Sequence, residues 1–126
     1  MSRKGTASRS ATTRKMKEMT PETFELVADR FRLLAEPMRL RILHALIDRE
    51  MTVGELVEAL EAGQANVSKH LGLLLGAGIV RRHKEGSNAF YAIADESIFA
   101  LCELVTSSLD AWLASQRAAV VRYPAR

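Results

Sequence analysis

Apolar and polar positions along the chain follow a helical period, then an alternating one, then a helical one again. Phe24, Val27, Phe31 and Leu34 recur at helical spacing after Thr20-Pro21-Glu22. That triplet reads as a helix start, with a threonine cap, a proline at the first helical position and an acid in the first turn. Glu36-Pro37 interrupts the pattern, because a residue before proline avoids the helical region. A second helix is predicted from Pro37, carrying Leu40, Ile42, Leu43, Leu46 and Ile47 and ending at Asp48-Arg49-Glu50. Thr52 and Glu55 form a capping box, which predicts a third helix over 53–60. Beyond the short turn Glu61-Ala62-Gly63, a fourth runs from Gln64 to Gly76 or Ala77 with Val67, Leu71, Leu74 and Leu75 on one face.

After Gly78 the period shortens. Ile79–His83 and Ala89–Ile93 are β-prone runs around the loop Lys84-Glu85-Gly86-Ser87-Asn88, a hairpin signal. From Asp95 the helical period returns and extends to about Val120. The predicted order is α-α-α-α-β-β-α, mainly α with a β-hairpin. Two short helices joined by a glycine-containing turn have helix-turn-helix form, and the hairpin is its wing, so a winged helix-turn-helix is expected. The outer helices carry more apolar surface than so small a core can cover. Phe24, Val27 and Phe31 on the first, and Ile98, Leu101, Cys102, Val105, Leu109 and Trp112 on the last, are the candidate homodimer interface.

Composition narrows the class. The 126 residues are 48% apolar and 26% charged, which suits one ordinary domain and excludes wholesale disorder, collagen-like repeats and disulfide-stapled scaffolds. The one cysteine, Cys102, cannot form an internal disulfide. No apolar run approaches the roughly 20 residues of a bilayer span and no secretory signal opens the chain, so a cytoplasmic protein without a membrane partner is expected.

The net charge of +3 is distributed unevenly. Residues 1–19 sum to +5 and read as a disordered basic arm, either in contact with phosphates or simply solvated. Residues 20–63 sum to −4 and residues 64–94 to +3. Positive charge within the expected domain, residues 20–120, thus collects in the fourth helix and the hairpin. Residues 121–126 form a tail.

Four segments carry a family resemblance: Ala35-Glu36-Pro37-Met38-Arg39-Leu40-Arg41-Ile42-Leu43, Val53-Gly54-Glu55-Leu56, Gln64-Ala65-Asn66-Val67-Ser68-Lys69-His70-Leu71 and Ala77-Gly78-Ile79-Val80. In this order and spacing they resemble the ArsR/SmtB family of bacterial transcriptional repressors, over roughly residues 20–117. The resemblance implies a homodimer whose first and last helices pair across a twofold axis. It also implies double-stranded DNA as partner, in the form of a palindromic operator, and an inducer, here unidentified, that releases it.

In a helix-turn-helix the start of the second helix enters the major groove. Gln64 suits adenine, Ser68 donates or accepts, and Lys69 reaches guanine or phosphate. Ala65 and Asn66 flank them, and many family members carry serine where Ala65 stands. Val67 faces the core. His70 lies beside the apolar face, where both packing and base contact are open to it. On the wing, Arg82 and Lys84 share a face by alternation, with Ser87 and Asn88 near the tip, all placed to meet phosphate or the minor groove.

Familiar metal sites of the family are not expected. Thr52 and Gly54 stand where a thiolate pair would be, residues 95–120 contain no histidine, and His44, His70 and His83 fall in three different elements. No cofactor is expected. Cys102 is either a thiol sensor or a small packing residue; Thr106 stands where a redox partner would be. An enzyme is not expected, since no active-site constellation stands out. The alternative to a DNA-binding repressor is a winged-helix module that binds protein and little DNA.

Overall fold

The helix starts read from the sequence are built by local hydrogen bonds. A computed structural model describes residues 18–122, so the six cations of the expected basic arm lie outside the described residues. In helix α1 (Pro21–Leu34) the Thr20 side chain accepts from the Thr23 amide at 3.1 Å. Helix α2 (Pro37–Ala45) is capped by Glu36, whose Oε1 accepts from the Met38 amide at 2.7 Å. Helix α3 (Val53–Leu60) carries the full capping box, with Glu55 N–H donating to Thr52 and Thr52 N–H to Glu55.

Helix α2 ends sooner than its apolar pattern suggested. Leu46 caps it, its amide shared between the carbonyls of Ile42 and Leu43, and Ile47 bonds back only to His44. The chain then turns so that buried Met51 pairs with Tyr91, amide to carbonyl in both directions at 3.0 and 2.8 Å.

Helix α4 (Gln64–Gly76) leads into strands β1 (Val80–Glu85) and β2 (Asn88–Ile93), an antiparallel pair with Val80 opposite Ile93 and Glu85 opposite Asn88. The hairpin loop is therefore Gly86-Ser87, shorter than the five residues expected. Gly86 takes φ 65°, the left-handed conformation that two-residue hairpin turns require and glycine adopts without strain. Ile79 O accepts from Ala94 and Asp95, and the Asp95 carboxylate accepts from Ser97 N–H and Oγ as α5 (Ser97–Arg122) begins.

The described residues divide between Ala35 and Glu36 into two compact units. The first holds α1, which leaves Phe24, Val27 and Phe31 exposed. The second holds the remaining elements around a core of Ile42, Leu43, Leu46, Leu56, Val67, Leu71, Leu74, Ile79, Val80 and Ile93. Only the start of α5 joins that core, through Ile98; Leu101 and Cys102 are half-buried, while Val105, Leu109 and Trp112 are exposed.

The expectation that no apolar run approaches a bilayer span does not hold for α5. By length and composition Ser97–Ala119 is one helix long and apolar enough to cross a membrane. Alanines between the large apolar side chains of the stripe, such as Ala100, Ala111 and Ala114, raise its hydropathy.

Candidate nucleic-acid interface

The turn between α3 and α4 is made by a residue the sequence does not advertise. Glu61 adopts the left-handed conformation, φ 51° and ψ 50°, whereas Gly63 is extended and caps α4. Arg41 of α2 donates to the Leu60 carbonyl at 2.8 Å, satisfying an acceptor at the end of α3.

With the turn so fixed, α4 presents two faces. Val67, Leu71 and Leu74 are buried against α2 and α3, with Val67 and Leu74 at zero exposure. Gln64, Ala65, Asn66, Ser68 and Lys69 are exposed. Gly63 offers no side-chain cap, so the first amides of α4 have no side-chain acceptor and point outward with the positive end of the helix dipole.

His70 does not join this face. It is 4% exposed, its Nδ1 accepts from Arg39 Nε at 3.0 Å, and its Nε2 is 3.9 Å from Glu36 Oε1. A side chain withdrawn to that degree cannot reach a base edge, so His70 leaves the set of expected DNA contacts. Its position beside the apolar stripe was legible; its partners, on another helix, were not.

On the hairpin, strand alternation puts Arg82 and Lys84 on one face and His83 and Glu85 on the other. His83 is engaged there: it stacks on Phe90 at 5.7 Å and lies 3.4 Å from both Glu50 and Glu85. Arg81 donates to the Ile93 carbonyl at 2.6 Å, which ties it to the base of the hairpin. The side chains of Arg82, Lys84 and Lys69 are exposed and take part in none of the ion pairs or side-chain hydrogen bonds formed among the described residues. Ser87 and Asn88 are exposed at the tip. Glu50 and Glu85 thus lie beside His83 on the far side of the hairpin, and the exposed side chains of Lys69, Arg82 and Lys84 stand on α4 and the wing.

A cleft of about 510 Å³ opens between α2, α3 and α5, lined mainly by apolar residues with His44, Cys102 and Thr106 among them. Among the described residues no group of three or more His, Cys, Asp or Glu side chains is arranged to hold a metal.

Comparison with known proteins gives a consistent picture. The family model described as "Bacterial regulatory protein, arsR family" matches residues 36–82. The HTH-type transcriptional regulator KmtR of Mycobacterium tuberculosis is 40% identical over 73 residues, which are 58% of this chain and 56% of KmtR, so the match spans little more than half that protein. Rv0081 of the same organism, an uncharacterised HTH-type transcriptional regulator, is 37% identical over 100 residues, covering 78% of this chain and 86% of Rv0081. Its crystal structure superposes with a TM-score of 0.70 at 34% identity, covering 77% of this chain and 97% of that one. The solution structure of Mb0332 from Mycobacterium bovis, a homodimeric winged helix-turn-helix DNA-binding domain, has a TM-score of 0.65 at 30% identity and covers 78% of this chain and 94% of that one.

Proposed function

The chain belongs to the arsR family of bacterial regulatory proteins, and we propose that it works as a homodimeric cytoplasmic repressor that an inducer releases from a palindromic operator. As a member of that family it is a DNA-binding transcriptional regulator with a winged helix-turn-helix. In this reading Gln64, Ala65, Asn66, Ser68 and Lys69 enter the major groove, and Arg82, Lys84, Ser87 and Asn88 meet the flanking backbone or minor groove. The observation that carries it is the two-faced α4: three core residues lock one side, and the other side exposes short polar groups and an unpaired lysine.

The dimer is supported by the apolar side chains left uncovered on α1 and on α5, each half or more exposed at Phe24, Phe31, Leu109 and Trp112. A second copy covers such faces, and the relative Mb0332 is itself homodimeric.

The test is a fluorescence-anisotropy titration of the full chain against a duplex that it enriches from a random-sequence library, compared with a scrambled duplex at two salt concentrations. Repressors of this kind are expected to bind the selected duplex at least about 1,000-fold more tightly. Equal, weak binding to both duplexes would replace this reading with that of a protein-interaction module.

A further inference from the structure

Behind its exposed face, α4 is joined to α2 by a part-buried polar contact that no base contact requires. His70 sits among the apolar core residues of α4 yet spends its Nδ1 on Arg39 Nε, 31 residues earlier in the chain. Accepting there places the ring's own proton on Nε2, on the side of Glu36 Oε1. The same Oε1 accepts from the amides of Met38 and Arg39 at 2.7 and 3.4 Å, so the group facing His70 is also the cap that starts α2.

Val67, Leu71 and Leu74 lock the core side of α4 by close packing, but packing is not directional and leaves small rotations cheaper than a hydrogen bond does. A directional hydrogen bond is different, since a small slide separates it and leaves the buried His70 without its donor, although Arg39 itself is only half-buried. Gln64 lies six residues before His70, about 9 Å along the helix axis. A tilt of about 10° pivoting at His70 therefore moves Gln64 by about 1.6 Å, which is enough to break a base contact.

We propose that the Arg39–His70 hydrogen bond, braced by the Glu36 cap, sets the orientation in which α4 presents Gln64, Ser68 and Lys69 to base edges, making His70 and Arg39 positioning residues for sequence-specific reading. The inference rests on the DNA-reading role given to α4 above.

The test compares full-length variants on the duplex enriched by the wild-type chain and on its scramble. His70→Leu fills the site without an acceptor, and His70→Asn restores an acceptor where Nδ1 stands. His70→Leu is expected to lose at least about tenfold in affinity for the selected duplex while binding the scramble like the wild type, and His70→Asn to recover most of that loss. Arg39→Met should lose as much as His70→Leu, and the double variant no more than either alone.

Equal loss on both duplexes, full retention in His70→Leu, or additive losses in the double variant would overturn the positioning role. If His70→Leu loses its helical circular dichroism, the comparison of Arg39→Met with His70→Asn decides by the same ratio. A wild-type chain that enriches no sequence overturns the DNA-reading premise instead, and the inference with it.

Discussion

Replacing Lys84 by alanine gives the sharpest test of the wing. Lys84 stands opposite Ala89, on the same face as Arg82, exposed and without a partner among the described residues. Its removal breaks no internal contact, so stability should change by less than about 0.5 kcal/mol. On DNA the expected effect is electrostatic. Each phosphate neutralised contributes about 0.9 to the slope of log affinity against log salt. A dimer places two copies of Lys84 on the duplex, so the slope should become shallower by about 1.8. Across a roughly fourfold rise in salt, the wild type then loses about 12-fold more affinity than the variant does. Anisotropy titrations over a salt series, on selected and random duplexes alike, read this directly. An unchanged slope removes Lys84 from the contact set; a loss confined to the selected duplex makes it a base reader instead.

Further expectations follow from individual residues. Leu56→Ala, at a position with no exposure, should cost about 2–5 kcal/mol in denaturant unfolding, and a cost below about 1 kcal/mol would show that α3 is not anchored as described. Glu61→Gly relieves a left-handed side-chain residue and should stabilise the fold by up to about 1 kcal/mol, read as a higher unfolding midpoint; a fall of that size would refute the turn geometry. Leu109→Glu places a charge on the exposed face of α5 and should convert the dimer to protomers in sedimentation equilibrium, with loss of operator affinity. A variant that stays dimeric assigns the interface elsewhere.

What could be read from the sequence was what short stretches of chain decide for themselves. The capping box of Thr52 and Glu55, the proline starts of α1 and α2, and the outward set on α4 all depend on neighbours within a turn. What escaped depends on distant partners. Nothing near residue 70 announces that Arg39 and Glu36 will draw the imidazole inward. The hairpin loop looked long because Lys84 and Asn88 are polar, yet pairing with Ala89 and Glu85 keeps both in the ladder. Glycine was the expected source of the α3–α4 turn, but the backbone reverses at Glu61, where the Arg41 bond to the preceding carbonyl and the packing of both helices fix the conformation. Helix α2 stops at Ala45 because Met51 has to reach Tyr91 only a few residues later.

That last pairing has a mechanical consequence. Met51 immediately precedes the cap of α3, and Tyr91 lies in the returning strand of the hairpin. The reading helices and the wing therefore hang from a common pivot, and neither can swing far without straining two short hydrogen bonds at the other's root. In the proposed function, a motion of either part would therefore shift groove and backbone contacts together.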